Sequence, residues 1–194
     1  MQWTPCCFES MILYVNSCVR KESRTDLLAR ALLQKLGGVY TELRLAQEPL
    51  QPLTAEVLEK RTALIEAGDM TDAMFDYAKQ FAAAQTIVIA APFWDASFPA
   101  LLKVYLENIY VTGIVSRYGS DGIPVGLCQA RDLYYVTTAG GPYVPDFSFH
   151  YIKALAVQAF GIPEVHLIKA EMLDVEGTDA EKIIGDAIDG LTNF

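Results

Sequence analysis

The residues best suited to chemistry lie in three segments, each of which follows a short apolar run. The first segment ends at Arg24 and Thr25 and also carries the hydroxyl groups of Ser17 and Ser23. Hydroxyl donors, together with the free N–H groups at the start of a helix, bind anions and phosphate in particular. Ser and Thr are also ordinary helix N-caps. This segment alone therefore leaves both interpretations open.

The second segment, residues 92–97, is rich in large rings. Phe93 and Trp94 stand between Pro92 and Asp95. Rings at the end of a strand, where solvent is expected, are unfavourable unless they cover a flat ligand or one another. We predict that they form a stacking wall beside the anion site. Packing of the rings onto their own sheet edge is the alternative.

The third segment is Thr138-Ala139-Gly140-Gly141, and it is followed by Pro142 and Tyr143. Glycines lack a Cβ, so the backbone of this segment can approach a ligand closely. Gly-Gly-Pro is also ordinary turn chemistry. The prediction of a binding site therefore depends on the three segments together.

Other kinds of site lack their motifs. The sequence has no G-x-x-x-x-G-K-[ST], no G-x-G-x-x-G, no G-x-S-x-G and no H-E-x-x-H. The four cysteines show no C-x-x-C spacing, and only His150 and His166 accompany them, so no metal site is predicted. We therefore expect reduced thiols in a cytoplasmic protein. Because the Walker and dinucleotide-binding motifs are absent, a phosphate bound by the first segment is expected to belong to a mononucleotide.

The elements that must position these segments alternate along the chain. Short apolar or alternating runs predict five strands, at residues 11–16, 39–45, 86–91, 133–138 and 164–170. Between them, helical periodicity predicts helices over about 27–36, 98–109, 152–160 and 178–191, with one helix or two over 55–84, broken near Gly68. Gly37 is a C-terminal signal, and Thr178 with Glu181 is a capping box.

Strands that alternate with helices predict an α/β fold, with one doubly wound parallel sheet in the order 2-1-3-4-5 and helices on both faces. In such a sheet, ligands bind beyond the carboxyl ends of the strands where the strand order reverses. The three segments follow the first, third and fourth strands. We therefore expect them to meet at one edge of the sheet.

Composition excludes several classes of protein. The 194 residues are 52% hydrophobic and 20% charged, which excludes a disordered chain and suits one domain. A net charge of -9 supplies no basic patch for nucleic acid or an anionic membrane. No apolar run approaches the ~20 residues of a membrane span, and no secretory signal is expected. Residues 1–10 are predicted to be an extension before a domain of residues 11–194, and Met11 could be the natural start.

Five short motifs occur in a fixed order. They are Ser17…Ser23-x-Thr25-x-x-Leu28, Ala91-Pro92-Phe93-Trp94-Asp95, Pro99-x-x-Leu102-Lys103-x-Tyr105-Leu106-Glu107, Arg117-Tyr118 with Gly122 and Gly126-Leu127, and Thr138-x-Gly140-Gly141. With them the chain resembles, from about residue 11 to its end, the FMN-dependent NAD(P)H:quinone oxidoreductases and azoreductases of flavodoxin-like fold.

The resemblance implies FMN as cofactor and NADH or NADPH as electron donor. It implies that the phosphate is held by Ser17, Ser23, Arg24 and Thr25. The isoalloxazine ring would be lined by Pro92, Phe93, Trp94, Asp95, Thr138, Ala139, Gly140 and Gly141. It further implies a homodimer and an excursion at residues 111–127 that shapes the pocket.

Two residues depart from the pattern of the azoreductases. Asp95 stands where an asparagine is expected, so its side chain can accept a hydrogen bond but cannot donate one. Tyr143 stands where a histidine is expected, and we predict it as the donor to the ring or to the acceptor; a satisfied loop tyrosine is the alternative. His150, early in a helix, either faces the pocket or lies in solvent. These departures bear on substrate preference more than on flavin binding.

The activity implied is a ping-pong transfer of two electrons from NAD(P)H to a quinone, an azo compound or a nitro aromatic. Main-chain N–H groups near residues 94–96 and 140–141 are expected to stabilise the added charge. Two alternatives remain. One is a flavodoxin-type electron carrier without NAD(P)H turnover, and the other is a phosphate-binding protein that holds no flavin.

Overall fold

The computed structural model describes residues 12–143 and 146–192 and places seven strands in them. They are β1 (Ile12–Asn16), β2 (Tyr40–Arg44), β3 (Thr86–Ala90), β4 (Ser116–Tyr118), β5 (Pro124–Gly126), β6 (Asp132–Thr138) and β7 (Glu164–Ala170). Five of them form a parallel sheet in the order β2-β1-β3-β6-β7. Since β6 and β7 are the fourth and fifth predicted strands, the order 2-1-3-4-5 is confirmed.

Six α-helices lie between and after these strands in the described ranges. They are α1 (Arg24–Leu36), α2 (Ala55–Glu66), α3 (Asp76–Ala83), α4 (Ala100–Ile109), α5 (Phe149–Leu155) and α6 (Ala180–Asp189). Residues 55–84 hold two helices rather than one, with a 3₁₀ turn at Ala73–Phe75 before the second. The predicted helix over 152–160 is α5 continued by a π-helical turn at Ala156–Phe160.

The two faces of the sheet are covered by different helices. Alternate residues of a strand point to opposite faces, so Leu13 and Tyr14 belong to different apolar clusters. The first cluster contains residues of α3, α4 and α5, such as Phe81 and Tyr105. The second contains residues of α1 and α6. Helices on both faces, as predicted, leave the carboxyl edge of the sheet as the place for a site.

The sequence signals at helix ends were correct in one case and wrong by one residue in another. Gly37 ends α1 in the left-handed conformation, with φ of 67° and its N–H donated to Leu33 O. The capping box of Thr178 is wrong: Asp179 is the N-cap of α6 and accepts from Lys182 N–H. The Thr178 hydroxyl is instead used in the preceding turn, where it lies 2.7 Å from Val175 O.

The segment between α4 and β6 carries a small antiparallel hairpin made by β4 and β5. Gly126 of this hairpin lies so close to Gly161 that a Cβ on Gly126 would stand 2.1 Å from Gly161 N. Gly161 itself ends the π-helical turn just before β7. This close contact holds the hairpin at the amino ends of the strands, opposite the edge predicted for the site.

Two further predictions concern the membrane and the division of the chain into domains. In residues 12–143 and 146–192, no helix is long and apolar enough to cross a bilayer. The predicted extension, residues 1–10, lies outside the described residues together with Met11. The division into an extension and one domain stays a prediction, as does the cytoplasmic location. Cys18 and Cys128 are free thiols, whereas Cys6 and Cys7 lie outside the described residues.

Candidate functional site

The segment after β1 is held in place by the last residue of that strand. Asn16 is fully buried, and its Oδ1 accepts the Cys18 N–H at 2.9 Å, which turns the chain out of the sheet. The Nδ2 of the same side chain donates to Asp26 at 3.2 Å and to Glu42 at 2.9 Å. One side chain thus ties the strand end, the start of α1 and the neighbouring strand together.

Asp26, in the first turn of α1, is the centre of a charged cluster behind this segment. It accepts the Tyr14 hydroxyl at 2.6 Å and forms ion pairs with Arg30 at 3.0 Å and Arg44 at 3.2 Å. Burial raises the pKa of Asp26, but the Tyr14 hydrogen bond and the two guanidinium groups outweigh it and hold the pKa below 3.8. Asp26 is therefore a fixed anion that anchors α1 from behind.

Ser23 caps α1, and the first turn of this helix lies at the site. The Ser23 side chain accepts the Asp26 N–H at 3.3 Å. The hydroxyl proton of Ser23 is not used in that bond and can be donated to a ligand. The start of a helix also carries partial positive charge. This end of the site therefore suits an anion.

Thr25 and Thr138 join α1 to the carboxyl end of β6. Their hydroxyl oxygens lie 2.6 Å apart, and both residues are buried. One hydroxyl donates to the other, so the pair keeps one proton for a further acceptor. The first and third segments are in this way brought into direct contact, as the sequence predicted.

Arg24 reaches from α1 to the loop that follows β7. Its Nη2 lies 2.7 Å from the Asp174 carboxylate and its Nη1 donates to Leu173 O at 3.0 Å. The Arg24 side chain is 37% exposed and that of Asp174 66%. The guanidinium thus lies at the rim of the site rather than in the core.

The aromatic segment after β3 lies beside the third segment. Phe93 donates its N–H to Thr138 O at 3.0 Å, which fixes this segment to β6. The Phe93 ring lies 4.5 Å from the Tyr143 ring between centroids. Trp94 and Ser97 exchange backbone hydrogen bonds of 2.9 and 2.8 Å. Trp94 N–H is thus used within the turn, which leaves it unable to serve as the predicted main-chain donor.

The turn between Trp94 and Ser97 contains two residues in an unfavourable conformation. Asp95 and Ala96 have φ values of 50° and 62°. Residues other than glycine rarely adopt these values, and such strain is concentrated at functional sites in proteins. The turn keeps Trp94, which is 37% exposed, at the edge of the site.

Gly140 and Gly141 differ in what surrounds them. A Cβ on Gly140 would stand 2.3 Å from Oδ2 of Asp174, whereas a Cβ on Gly141 would meet nothing within 4 Å. Asp174 N–H donates to Gly140 O at 2.8 Å, and Met172 N–H to Gly141 O at 3.0 Å. A side chain at residue 140 would therefore have to displace the Asp174 carboxylate. Gly141 faces open space.

One cavity of about 220 Å³ lies where these segments meet. Among the residues that line it, nine were predicted from the sequence: Ser23, Arg24, Thr25, Pro92, Phe93, Trp94, Thr138, Ala139 and Gly140. The other lining residues were not predicted: Val19, Arg20, Glu22, Leu173 and Asp174. The structure thus brings the three segments together around a shared space that is lined by hydroxyl and guanidinium donors and by aromatic rings.

Four predicted site residues do not line this cavity: Ser17, Asp95, Gly141 and Tyr143. Ser17 is fully buried and donates its hydroxyl to Ala90 O at 2.8 Å, so its proton is used between β1 and β3. The Tyr143 hydroxyl is hydrogen-bonded to Ser148. Burial raises the pKa of Tyr143 to about 12. The roles suggested for these four residues stay predictions.

The loop after β7 was missed in the sequence. Leu173 and Asp174 follow the fifth predicted strand, whose carboxyl end lies at the same edge of the sheet as the site. Position alone could have suggested them. Their segment, Glu171-Met172-Leu173-Asp174, has no hydroxyl group and no glycine. It therefore gave no compositional sign of a binding loop.

That residues 111–127 shape the pocket stays a prediction. No residue of that excursion lines the cavity described above. Gly113, Ile114 and Leu127 instead line a second cavity of about 760 Å³, together with residues near the start of β3 such as Ala83. The physical reason is the Gly126–Gly161 contact, which holds the hairpin at the other edge of the sheet.

The two histidines lie away from the cavity. His150 is 74% exposed, and its Nδ1 lies 3.0 Å from the Asp146 carboxylate. His166 lies 2.9 Å from Asp132 and stacks on Tyr134. Within the described part of the chain, no group of three or more His, Cys, Asp or Glu side chains is placed to hold a metal ion.

The open parallel sheet with its cavity at the carboxyl edge defines the class: a flavodoxin-like α/β protein. A family profile described as flavodoxin-like fold matches residues 10–193. An FMN-dependent NADH:quinone oxidoreductase 2 of Clostridium acetobutylicum is 34% identical over 194 residues, which cover 93% of this chain and 95% of that protein. An FMN-dependent NADH:quinone oxidoreductase of Clostridium perfringens (strain ATCC 13124) is 30% identical, with 93% and 95% covered.

The chain therefore belongs to the flavodoxin-like fold family, and within it to the group that these quinone oxidoreductases represent. The family named from the sequence motifs is thus confirmed.

Solved structures show the same fold at lower identity. The crystal structure of an azoreductase from Bacillus anthracis str. Sterne has a TM-score of 0.81 at 20% identity, and the match covers 94% of this chain and 97% of that one. An FMN-dependent NADH-azoreductase of Bacillus anthracis str. Ames Ancestor, solved in complex with FMN, has a TM-score of 0.78 at 20% identity, with 94% and 96% covered.

Proposed function

We propose that this protein is an FMN-dependent NAD(P)H oxidoreductase that transfers two electrons, by a ping-pong mechanism, to quinones, azo compounds or nitro aromatics. The observation that carries the proposal is a single cavity lined both by the capped start of α1 and by the rings of Phe93 and Trp94. The relatives are named as FMN-dependent NADH:quinone oxidoreductases, which supports the same activity.

The donor set suits the phosphate end of FMN. The cap bond of Ser23 does not use its hydroxyl proton, the pair of Thr25 and Thr138 keeps one proton, and Arg24 supplies a guanidinium group at the same cavity wall. A phosphate group accepts several hydrogen bonds and binds well at a helix start. These residues would hold the phosphate, even though the chain as a whole is acidic.

The apolar residues of the same cavity suit a flat ring. Pro92, Phe93 and Trp94 supply apolar surface, and Thr138, Ala139 and Gly140 line the same cavity. The Tyr143 ring packs behind Phe93 and supports it. Rings of this size prefer aromatic or apolar walls with a few polar groups that set their orientation.

The protein's part in the reaction is to bind and orient rather than to exchange protons. When bound, FMN supplies the chemistry that accepts a hydride from NAD(P)H and then passes two electrons to the acceptor. The cavity-lining hydroxyls of Ser23, Thr25 and Thr138 can hold a phosphate at the helix start, and no lining His is placed as a general base.

A homodimer is part of the proposal. The cavity of one chain, about 220 Å³, is smaller than the ~300 Å³ at the low end of ordinary cofactor sites. Trp94 at its edge is 37% exposed. A second copy of the chain that covers this edge would complete the site. Size-exclusion chromatography with light scattering tests the dimer directly.

The deciding experiment compares the three functions that the sequence left open. The protein is purified with added FMN, its visible spectrum is recorded, and NADH or NADPH is added without oxygen. Rapid loss of flavin colour, followed by its return when a quinone or an azo dye is added, is the expected result. Steady-state rates at several acceptor concentrations should then give the parallel double-reciprocal lines of a ping-pong mechanism.

The alternatives predict different outcomes. A yellow protein that does not respond to either pyridine nucleotide would be an electron carrier of the flavodoxin type. A protein that retains no flavin would be a phosphate-binding protein of another kind. Since the relatives are named as oxidoreductases and Phe93 and Trp94 line the cavity, we favour the enzyme.

A further inference from the structure

The contact between Arg24 and Asp174 places a carboxylate at the wall of a cavity suited to an anion. Nη2 of Arg24 and Oδ1 of Asp174 are 2.7 Å apart, and both residues line the cavity. A carboxylate near a phosphate is unfavourable unless it has a compensating effect. Its position therefore calls for an explanation.

Backbone hydrogen bonds hold the main chain of Asp174 against the third segment. Asp174 N–H donates to Gly140 O at 2.8 Å, and Leu173 N–H donates to Ala139 O at 3.2 Å. The carboxylate occupies the space that a side chain at residue 140 would need, since a Cβ there would stand 2.3 Å from Oδ2. Because residue 140 is a glycine, the third segment leaves the space in which the Asp174 carboxylate lies.

Arg24 is in turn held by two acceptors of the same loop. Nη2 binds the Asp174 carboxylate and Nη1 donates to Leu173 O at 3.0 Å. A guanidinium group has five N–H donors, so donors remain for a ligand after these two contacts. Without them a long arginine side chain samples many rotamers, and ordering it on binding lowers affinity.

We infer that Asp174 is a positioning residue, which holds the Arg24 guanidinium at the cavity wall so that it binds the phosphate group of the cofactor. Asp174 thereby favours flavin mononucleotide over the unphosphorylated flavin, riboflavin. This inference rests on the proposed function. It goes further, because it assigns selection of the phosphorylated flavin to a loop that the sequence motifs do not include.

The test is a comparison of two ligands that differ only in the phosphate. Dissociation constants of FMN and riboflavin are measured by flavin fluorescence for the wild type, Asp174→Asn, Arg24→Gln and the double variant. Asp174→Asn should weaken FMN binding about fivefold, as expected for a partly exposed ion pair, and leave riboflavin binding unchanged. In the Arg24→Gln background, Asp174→Asn should weaken FMN binding no further.

A matched control removes the same charge from the same loop. Glu176 is exposed and lies two residues beyond Asp174, and Glu176→Gln should not weaken FMN binding. Tighter FMN binding by Asp174→Asn would overturn the inference, because the carboxylate would then only compete with the phosphate for Arg24. An equal loss for FMN and riboflavin would also overturn it, because the role would then be structural.

Failure of the proposed function gives a different result. If the wild type binds neither flavin, the oxidoreductase proposal fails. Inorganic phosphate, titrated by calorimetry, then tests the inference alone. Weaker phosphate binding by Asp174→Asn than by the wild type supports a positioning role, and equal binding overturns it.

Discussion

The hydroxyl oxygens of Thr25 and Thr138 lie 2.6 Å apart, although 113 residues separate them in the chain. This contact joins the first turn of α1 to the carboxyl end of β6, and it brings two of the three predicted segments together. Since both residues line the cavity, the pair links the stability of this edge to ligand binding.

Single and double valine variants should separate these two roles. Thr25→Val leaves the Thr138 hydroxyl without its partner, and we expect the free energy of unfolding to fall by about 1 kcal/mol. Thr25→Val/Thr138→Val removes both hydroxyls and keeps the shape, so stability should largely return. FMN affinity should fall in the double variant, because no hydroxyl proton is left for the phosphate, whereas in Thr25→Val the Thr138 hydroxyl keeps its proton and FMN binding should be largely retained. Urea unfolding and FMN titration measure the two effects, with Thr25→Ser as the control that preserves both. FMN binding equal to wild type in the double variant would contradict this role.

The two adjacent glycines should respond differently to alanine. In Gly140→Ala the new Cβ would displace the Asp174 carboxylate, which now lies 2.3 Å from that position, while Gly141→Ala meets nothing within 4 Å. We expect Gly140→Ala to lower FMN affinity several-fold, with a stability loss below about 1 kcal/mol because a side-chain end can move. Gly140→Val, which puts a larger side chain in the same space, should lower FMN affinity further. Gly141→Ala is the matched control. If all three variants retained as much FMN as the wild type, the third segment would not be part of the flavin site.

Asp26 should make stability depend on acid pH. Its folded pKa is below 3.8, because burial, which raises the pKa, is outweighed by the Tyr14 hydrogen bond and by the ion pairs with Arg30 and Arg44. A carboxyl group whose pKa is lowered by folding stabilises the protein above its unfolded pKa. That contribution is lost as the pH falls through the folded value. The free energy of unfolding should therefore decrease below about pH 3.8.

Urea unfolding between pH 2 and pH 7 measures this dependence. Asp26→Asn should lower stability by about 2 kcal/mol at neutral pH and flatten the acid decrease. Asp186→Asn, at an exposed position of α6, is the control and should leave the curve unchanged. An Asp26→Asn curve parallel to wild type at all pH values would rule out this contribution.

Two buried tyrosines should respond in opposite directions to loss of the hydroxyl. Tyr105 is fully buried in the core, and its hydroxyl has no hydrogen-bond partner among the described residues. Tyr14 is equally buried, and its hydroxyl donates to Asp26 at 2.6 Å. Tyr105→Phe should raise the free energy of unfolding by about 1 kcal/mol, and Tyr14→Phe should lower it by about 1.5 kcal/mol. Thermal and urea unfolding measure both changes, and each variant is the control for the other.

Much of the fold could be predicted because its signals are local. The apolar runs of β1 and β3 mark strands buried on both faces, and Gly37 marks the end of α1 through its backbone conformation. Alternation of strands and helices leaves few topologies, and the order of strands then places the site. The capping box at Thr178 was wrong because both Thr178 and Asp179 can cap. Only the preceding turn, which uses the Thr178 hydroxyl, decides between them.

The directions of side chains were less predictable than their positions. Ser17 lies in the correct segment, but its hydroxyl points to Ala90 O rather than to the cavity. Trp94 lies at the correct edge, but its N–H is used by Ser97. A motif gives spacing along the chain, whereas a hydrogen-bond partner depends on which strand end lies alongside.

The sequence by itself determined the family, the order of the sheet and the edge at which three polar or aromatic segments meet. These follow from periodicity, turn residues and motifs that act over short distances. Only the tertiary structure showed that Asp174 sits over Gly140 and binds Arg24, and that the hairpin of residues 116–126 lies at the opposite edge. Both depend on close contact between segments far apart in the chain, and no local pattern of residue types records such a contact.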